Sequence, residues 1–172
     1  CLVQVCAEGE LAVIDALAVE SLVPFWEVLA AEGHQTIVHS GRSEVEFCLQ
    51  AIGCEPANLF DVQIGAALVG IEYPAGFSTL IARLVGESPK KHETRTDWRR
   101  RPLSSRQIDY ALDDVRYLPA VRDRIEERLT QLGRTAWMGE EMASFLGEIR
   151  QAAGQERWRH RRQKGRYGKR DE

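Results

Sequence analysis

Apolar and polar residues alternate at the start of the chain and then fall into the three-to-four spacing of helices. Cys1–Cys6 and Leu11–Ile14 are β-rich runs separated by Glu8-Gly9-Glu10, which predicts a hairpin. Ser21 caps a predicted helix through Pro24, Phe25, Trp26, Val28 and Leu29 that Gly33 closes. Thr36, Ile37 and Val38 form a short buried strand ending at His39. After the turn Ser40-Gly41-Arg42-Ser43, the residues Val45, Phe47, Cys48, Leu49 and Ile52 predict a helix ended by Gly53, with Glu44 in its first turn. Leu59-Phe60 reads as a strand end leading into a small-residue helix with Asp61 as its N-cap. A loop at 70–76, a helix at 77–85 and a long basic loop at 88–102 follow. Ser104 with Gln107 is a capping-box signature, so a helix starts there and runs to about Leu132. Trp137–Ile149 is the last predicted helix. Strands first and helices later indicate α/β or α+β with a mixed sheet.

On the helix from Ser104, Ile108, Ala111, Leu112, Val115, Leu118, Ile125, Leu129 and Leu132 gather into one apolar stripe. The same geometry separates its aspartates. Asp109 and Asp113 fall roughly 160° from the centre of the stripe, whereas Asp114 falls about 60° away, at the edge of buried territory. Tyr110, one turn earlier, lies on the same side as Asp114. A carboxylate half withdrawn from water needs a partner. That partner is either one of the neighbouring arginines or a metal ion.

Composition narrows the class. The 172 residues are 44% hydrophobic and 28% charged, which suits one domain with a real core, and no run approaches eighteen apolar residues. A soluble, cytoplasmic protein without a membrane partner is expected. Cys1, Cys6, Cys48 and Cys54 form no Cys-x-x-Cys pair, so they are read as reduced thiols rather than zinc ligands. Residues 157–172 carry eight Lys/Arg against two acids, +6, so residues 1–156 carry −9 of the net −3. The division is therefore a domain at 1–150 and a basic tail at 151–172, the tail expected as a solvated, disordered terminus or a nucleic-acid contact. The loop at 88–102, with Lys90, Lys91, Arg95, Trp98 and Arg99–Arg101, has the composition of a phosphate-contacting segment or of a solvated charged loop.

Tyr110-x-x-x-Asp114, followed by Val115, Tyr117 and Leu118, resembles the third motif of ribonuclease D and its relatives, the tyrosine branch of the DEDD superfamily of 3′→5′ exonucleases. Arg95-Thr96-Asp97-Trp98, Arg101-Pro102-Leu103-Ser104 with Gln107, and Leu59-Phe60-Asp61-Val62-Gln63 are similar to further signatures of that family. The resemblance implies a ribonuclease H-like mixed sheet flanked by helices, whose first strand, bearing the Asp-x-Glu of the first motif, precedes Cys1. The helical accessory domain of the family is also missing from these residues. The resemblance further implies two-metal hydrolysis with Mg²⁺ or Mn²⁺. Asp114 and Glu44 would ligate the ions, Tyr110 would orient the attacking water, and Lys91, Arg95 and Arg99 would contact phosphate. Nucleic acid is the expected partner, RNA before DNA. Glu44 stands where the family's second motif, His39 in this chain and then four residues, carries Asp. The expectation for the 172 residues alone is an inactive or nearly inactive exonuclease, and the alternative is a non-catalytic nucleic-acid binding module of the same fold. A serine hydrolase built on His39-Ser40-Gly41-Arg42-Ser43 would need a Gly-x-Ser-x-Gly elbow, which the chain lacks.

Overall fold

The computed structural model describes residues 2–88 and 96–167, with side chains as far as 155. The hairpin forms as β1 (Leu2–Ala7) and β2 (Glu10–Asp15), antiparallel with Ala7 opposite Glu10. Its two-residue turn puts Glu8 and Gly9 at φ 52° and 83°, the positive pair that suits the twist of a tight hairpin. Pro24 sits in the first turn of α1 (Val23–Ala30), where a missing N–H costs nothing. β3 (Thr36–Val38) pairs in parallel with β4 (Leu59–Asp61) across α2 (Arg42–Ile52). The two strand pairs stay separate among the described residues, one antiparallel and one parallel. The mixture expected from the sequence is therefore present as two small sheets, not as one continuous sheet.

Asp61 caps α3 (Val62–Leu68) by accepting from the Gln63 N–H at 2.9 Å, as the sequence predicts. Beyond it lie α4 (Phe77–Leu80), which widens into a π-helical turn over Ile81–Val85, then α5 (Ser105–Arg116), α6 (Leu118–Gln131) and α7 (Thr135–Tyr167). The capping box of Ser104 and Gln107 is complete, each side chain bonding the backbone of the other.

Three sequence expectations are corrected. The helix predicted to run from 104 to 132 breaks at Tyr117. Pro119 lacks the N–H that would have bonded to Val115 and its ring collides with that carbonyl, so α6 restarts with the proline in its own first turn. The break lets α5 lie on the hairpin while α6 packs on α3 and β3. As a result the stripe does not stay buried end to end. Leu118, Val121, Ile125 and Leu129 are core, each fully buried apolar side chain contributing about 1.5–3 kcal/mol, whereas Ile108 and Leu132 are exposed. The last helix does not stop at Ile149. Its backbone continues to Tyr167.

One contact fixes where α6 lies. A Cβ on Gly65 of α3 would stand 2.8 Å from Ile125 Cγ2, so this glycine permits the close approach of the two helices. Leu59, Phe60, Val62 and Ala66 pack with Leu80, Ile81, Val121, Ile125, Met138 and Ile149 in a single core beneath the junction of β3 and α2.

Candidate active site

The β3–α2 junction is built from backbone inward. Gly41 is buried against Val38 so closely that a Cβ would come within 2.3 Å of Val38 Cγ2. Its N–H donates to Asp61 Oδ2 at 2.8 Å and the Ser40 N–H donates to Asp61 Oδ1 at 3.0 Å. Asp61 is only 1% exposed, and three backbone donors, counting Gln63, surround its carboxylate. Burying a charge in this way is tolerable because three backbone N–H groups replace the water it loses. Asp61 therefore holds the loop that begins α2.

His39 lies at the head of that loop. Its Nε2 is 2.8 Å from the Ala75 carbonyl, and since a carbonyl only accepts, Nε2 carries the proton. Gln63 Nε2 donates to the same oxygen at 3.1 Å, so the 70–76 loop is drawn onto the junction. The His39 ring also packs on Phe77 at 5.3 Å.

Glu44 occupies the first turn of α2, where the positive end of the helix dipole favours a carboxylate. It is open to solvent on one side. Loss of hydration on its other side pushes its carboxyl above the usual glutamate value, opposed by a bond from its own N–H and assisted by the Asp61 charge. Asp114 on α5 has the same character. Crowding by protein raises its carboxyl, Asp113 raises it further, and the His39 ring works in the opposite direction. Each acid thus senses a different residue of one junction, Asp114 through His39 and Glu44 through Asp61.

Cation pairing separates the aspartates of α5. Asp113 binds Arg116 at 3.2 Å along the helix surface. No Lys or Arg of the described residues forms an ion pair with Asp114 or with Glu44. Of the two partners open to Asp114 from sequence, the arginine is the one these residues do not supply. No group of three or more acids, histidines or cysteines with metal-binding geometry occurs among the described residues. Two carboxylates suit a hard divalent ion that keeps much of its water shell and shares it with substrate phosphate.

Tyr110, one turn before Asp114, stacks at a tilt on Trp98, with ring centroids 5.9 Å apart. Arg99 is displayed outward with 94% of its side chain exposed, 3.6 Å from Asp97. Lys91 and Arg95 lie outside the described residues. Sequence reading did not find the Trp98–Tyr110 contact or the pairing of Arg101 with Asp15, because 86 residues separate that pair. Arg101, the last of three consecutive arginines before Pro102, carried no signal for so distant a partner.

The fold defines the class, an α/β domain of small sheets flanked by helices. Residues 1–130 match the 3′-5′ exonuclease family. Ribonuclease D of Xanthomonas oryzae is 38% identical over 159 residues, 92% of this chain and 44% of that protein. Ribonuclease D of Granulibacter bethesdensis is 40% identical over 144 residues, 83% of this chain and 36% of its own length. Among solved structures, Escherichia coli RNase D, described as an exoribonuclease involved in structured RNA processing, superposes with a TM-score of 0.78 at 30% identity over 86% of this chain and 40% of that one. Brucella melitensis NrnC gives 0.76 at 25% identity over 87% of this chain and 74% of its own. The chain belongs to the 3′-5′ exonuclease family and is ribonuclease D-like within it. It spans less than half the length of the two curated relatives.

Proposed function

We propose that the protein containing this chain removes nucleotides from the 3′ end of RNA in the cytoplasm, with Asp114 and Glu44 as metal ligands and Tyr110 beside them. The observation that carries the reading is that Glu44, in the first turn of α2, and Asp114, beside His39 in its electrostatics, are both partly desolvated and neither is ion-paired to a Lys or Arg of the described residues. Structured RNA as substrate is supported by the E. coli relative, and a short nucleotide ligand by NrnC, which has been solved bound to pGG.

Two divalent ions, when bound, supply activation of a water and stabilisation of the leaving 3′-oxygen. The residues of the chain hold and aim. Asp114 and Glu44 give hard oxygen donors, and Asp61 fixes the backbone from which Glu44 projects. The Tyr110 hydroxyl hydrogen-bonds and orients the attacking water. A phenol is a weak general base, so orientation is the role that suits its chemistry. Arg99, with Lys91 and Arg95, neutralises phosphate along the strand.

The full family site takes four carboxylates, and these 172 residues supply Asp114 and Glu44, so the chain by itself turns over slowly. A second reading, binding without hydrolysis, draws on Glu44 standing where the family has Asp, one methylene too long for the usual ligand position. Release of 5′-mononucleotides from a 3′-ended oligoribonucleotide in Mn²⁺ separates the two, measured on this chain and on one with an Asp-x-Glu strand of the family placed ahead of Leu2. The extended chain is expected to release mononucleotides and to lose about 100-fold or more on Asp114→Asn, the scale of one preorganised electrostatic contact. Equal rates with and without Asp114→Asn would remove the proposal. Saturable RNA binding with no release by the extended chain would establish the second reading.

A further inference from the structure

The segment from Thr96 to Ser104 is tied down more heavily than its exposed surface requires. Arg101 Nε and Nη2 donate to the two oxygens of Asp15 at the end of β2, Nη2 at 2.9 Å, in the planar fork that only arginine offers. Its Nη1 donates to the Trp98 carbonyl at 2.9 Å and the Arg100 carbonyl at 3.0 Å. Both side chains are about three-quarters buried, at 28% and 25% exposure. Asp15 is itself steadied by the Leu17 N–H at 3.0 Å. At the other end of the segment, Gln107 Nε2 donates to Thr96 Oγ1 at 3.2 Å, which joins it to the first turn of α5. Between these two ties stands Trp98, its indole 5.9 Å from the Tyr110 ring and tilted by 42°.

We infer that Asp15 is a positioning residue for Tyr110, acting through Arg101 to fix the Trp98 indole against the phenol. A tyrosine on a half-exposed helix face turns about two bonds; rotation about Cβ–Cγ leaves the hydroxyl oxygen on the ring axis, and rotation about Cα–Cβ swings it. An indole packed on one face limits that rotation, provided the indole itself cannot leave. The backbone carbonyl of Trp98 is held by the same guanidinium that grips Asp15, so a carboxylate on the hairpin sets the position of an aromatic wall against Tyr110 of α5. Lysine in place of Arg101 would keep the charge, but its three donors on one nitrogen could not reproduce the bidentate grip on Asp15 together with both carbonyl bonds. The value of this positioning to catalysis rests on the proposed role of the Tyr110 hydroxyl.

The test uses the 172-residue chain labelled with 3-fluorotyrosine and followed by ¹⁹F NMR, the Tyr110 line being assigned by its loss in Tyr110→Phe. Asp15→Asn and Arg101→Lys are each expected to displace or broaden the Tyr110 line while the line of the exposed Tyr73 stays in place, and Asp15→Glu is expected to bring the Tyr110 line back toward its parent position. Should Asp15→Asn fail to fold, Arg101→Lys carries the measurement. A Tyr110 line unmoved in either folded variant overturns the inference, as does equal movement of the Tyr73 and Tyr110 lines, which marks general loosening. The two readings fail separately: undiminished turnover in Tyr110→Phe removes the role of the phenol and leaves the Asp15–Arg101 tie, whereas an unmoved line removes the positioning and leaves the phenol.

Discussion

Gly41 and Asp61 show how much of a catalytic geometry is set by residues that never meet the substrate. Gly41→Ala would drive a methyl into Val38 inside a close-packed junction. It is expected to cost about 1–3 kcal/mol, the range for overpacking, seen as a lower urea midpoint with an unchanged m-value. Glu44 and Asp114 have the opposite consequence for stability. Each carboxyl binds its proton more tightly in the folded chain than in the unfolded one, so the native state holds more protons. Stability from these two acids is therefore greatest below their unfolded values, about 4, and falls as pH rises through the raised folded values. At neutral pH in EDTA, Glu44→Gln and Asp114→Asn should each raise the melting temperature. The same variants should lose the rise that Mn²⁺ gives the parent, since an ion that binds only the folded chain stabilises it by mass action. A metal-free melting temperature that falls in both variants would show that the carboxylates serve the fold and not an ion.

At the scale of elements, the Asp15–Arg101 tie between hairpin and loop has the reverse pH sign. The guanidinium hydrogen bond, followed by the bond from Leu17, lowers the Asp15 carboxyl to about 2 from an ordinary value of 3.8. Its contribution is complete above about 3.8 and is lost as pH falls through about 2. Hydrogen exchange of residues 96–104 should quicken over that window in the parent, and the dependence should be absent in Asp15→Asn. The elements that the sequence announces are those whose signals are local. The two-residue hairpin turn, the Ser104–Gln107 box, the Asp61 cap and the Gly53 stop all depend on neighbours within three or four residues. The break at Tyr117 is hidden because Pro119 reads equally as an interruption within one helix and as the opening of the next, and burial against α3 and β3 decides between them. The same limit applies to the site. Tyr110, Asp114 and Glu44 stand out by type and spacing, but the lack of a paired cation and the Trp98 wall depend on contacts that the chain makes far from its own sequence neighbourhood.

Across the whole molecule, charge is segregated in a way that bears on how a polyanion would be held. Residues 1–156 carry −9 and would repel RNA at long range, while residues 157–172 carry +6. The helical backbone continues through Tyr167, so the cations at 157, 159, 161, 162, 164 and 166 follow one another along the end of α7. Buried contacts of α7 with the core include Ile149, and Arg150 pairs with Glu55, so a chain ending at Gln155 retains the packed part of the helix. Neutralising phosphates releases counterions, and log affinity for single strands then falls with log salt by about 0.7 per phosphate engaged. If the eight cations of the terminal segment supply the contacts, removing residues 156–172 should flatten the salt slope of oligoribonucleotide binding by up to about 5 to 6. Arg99→Ala, by comparison, should reduce it by less than about 1. Binding titrations at four salt concentrations distinguish the two. A truncated chain with the parent slope would place the phosphate contacts on the body of the domain, against its net charge, and would move attention from the end of α7 to the segment around Arg99.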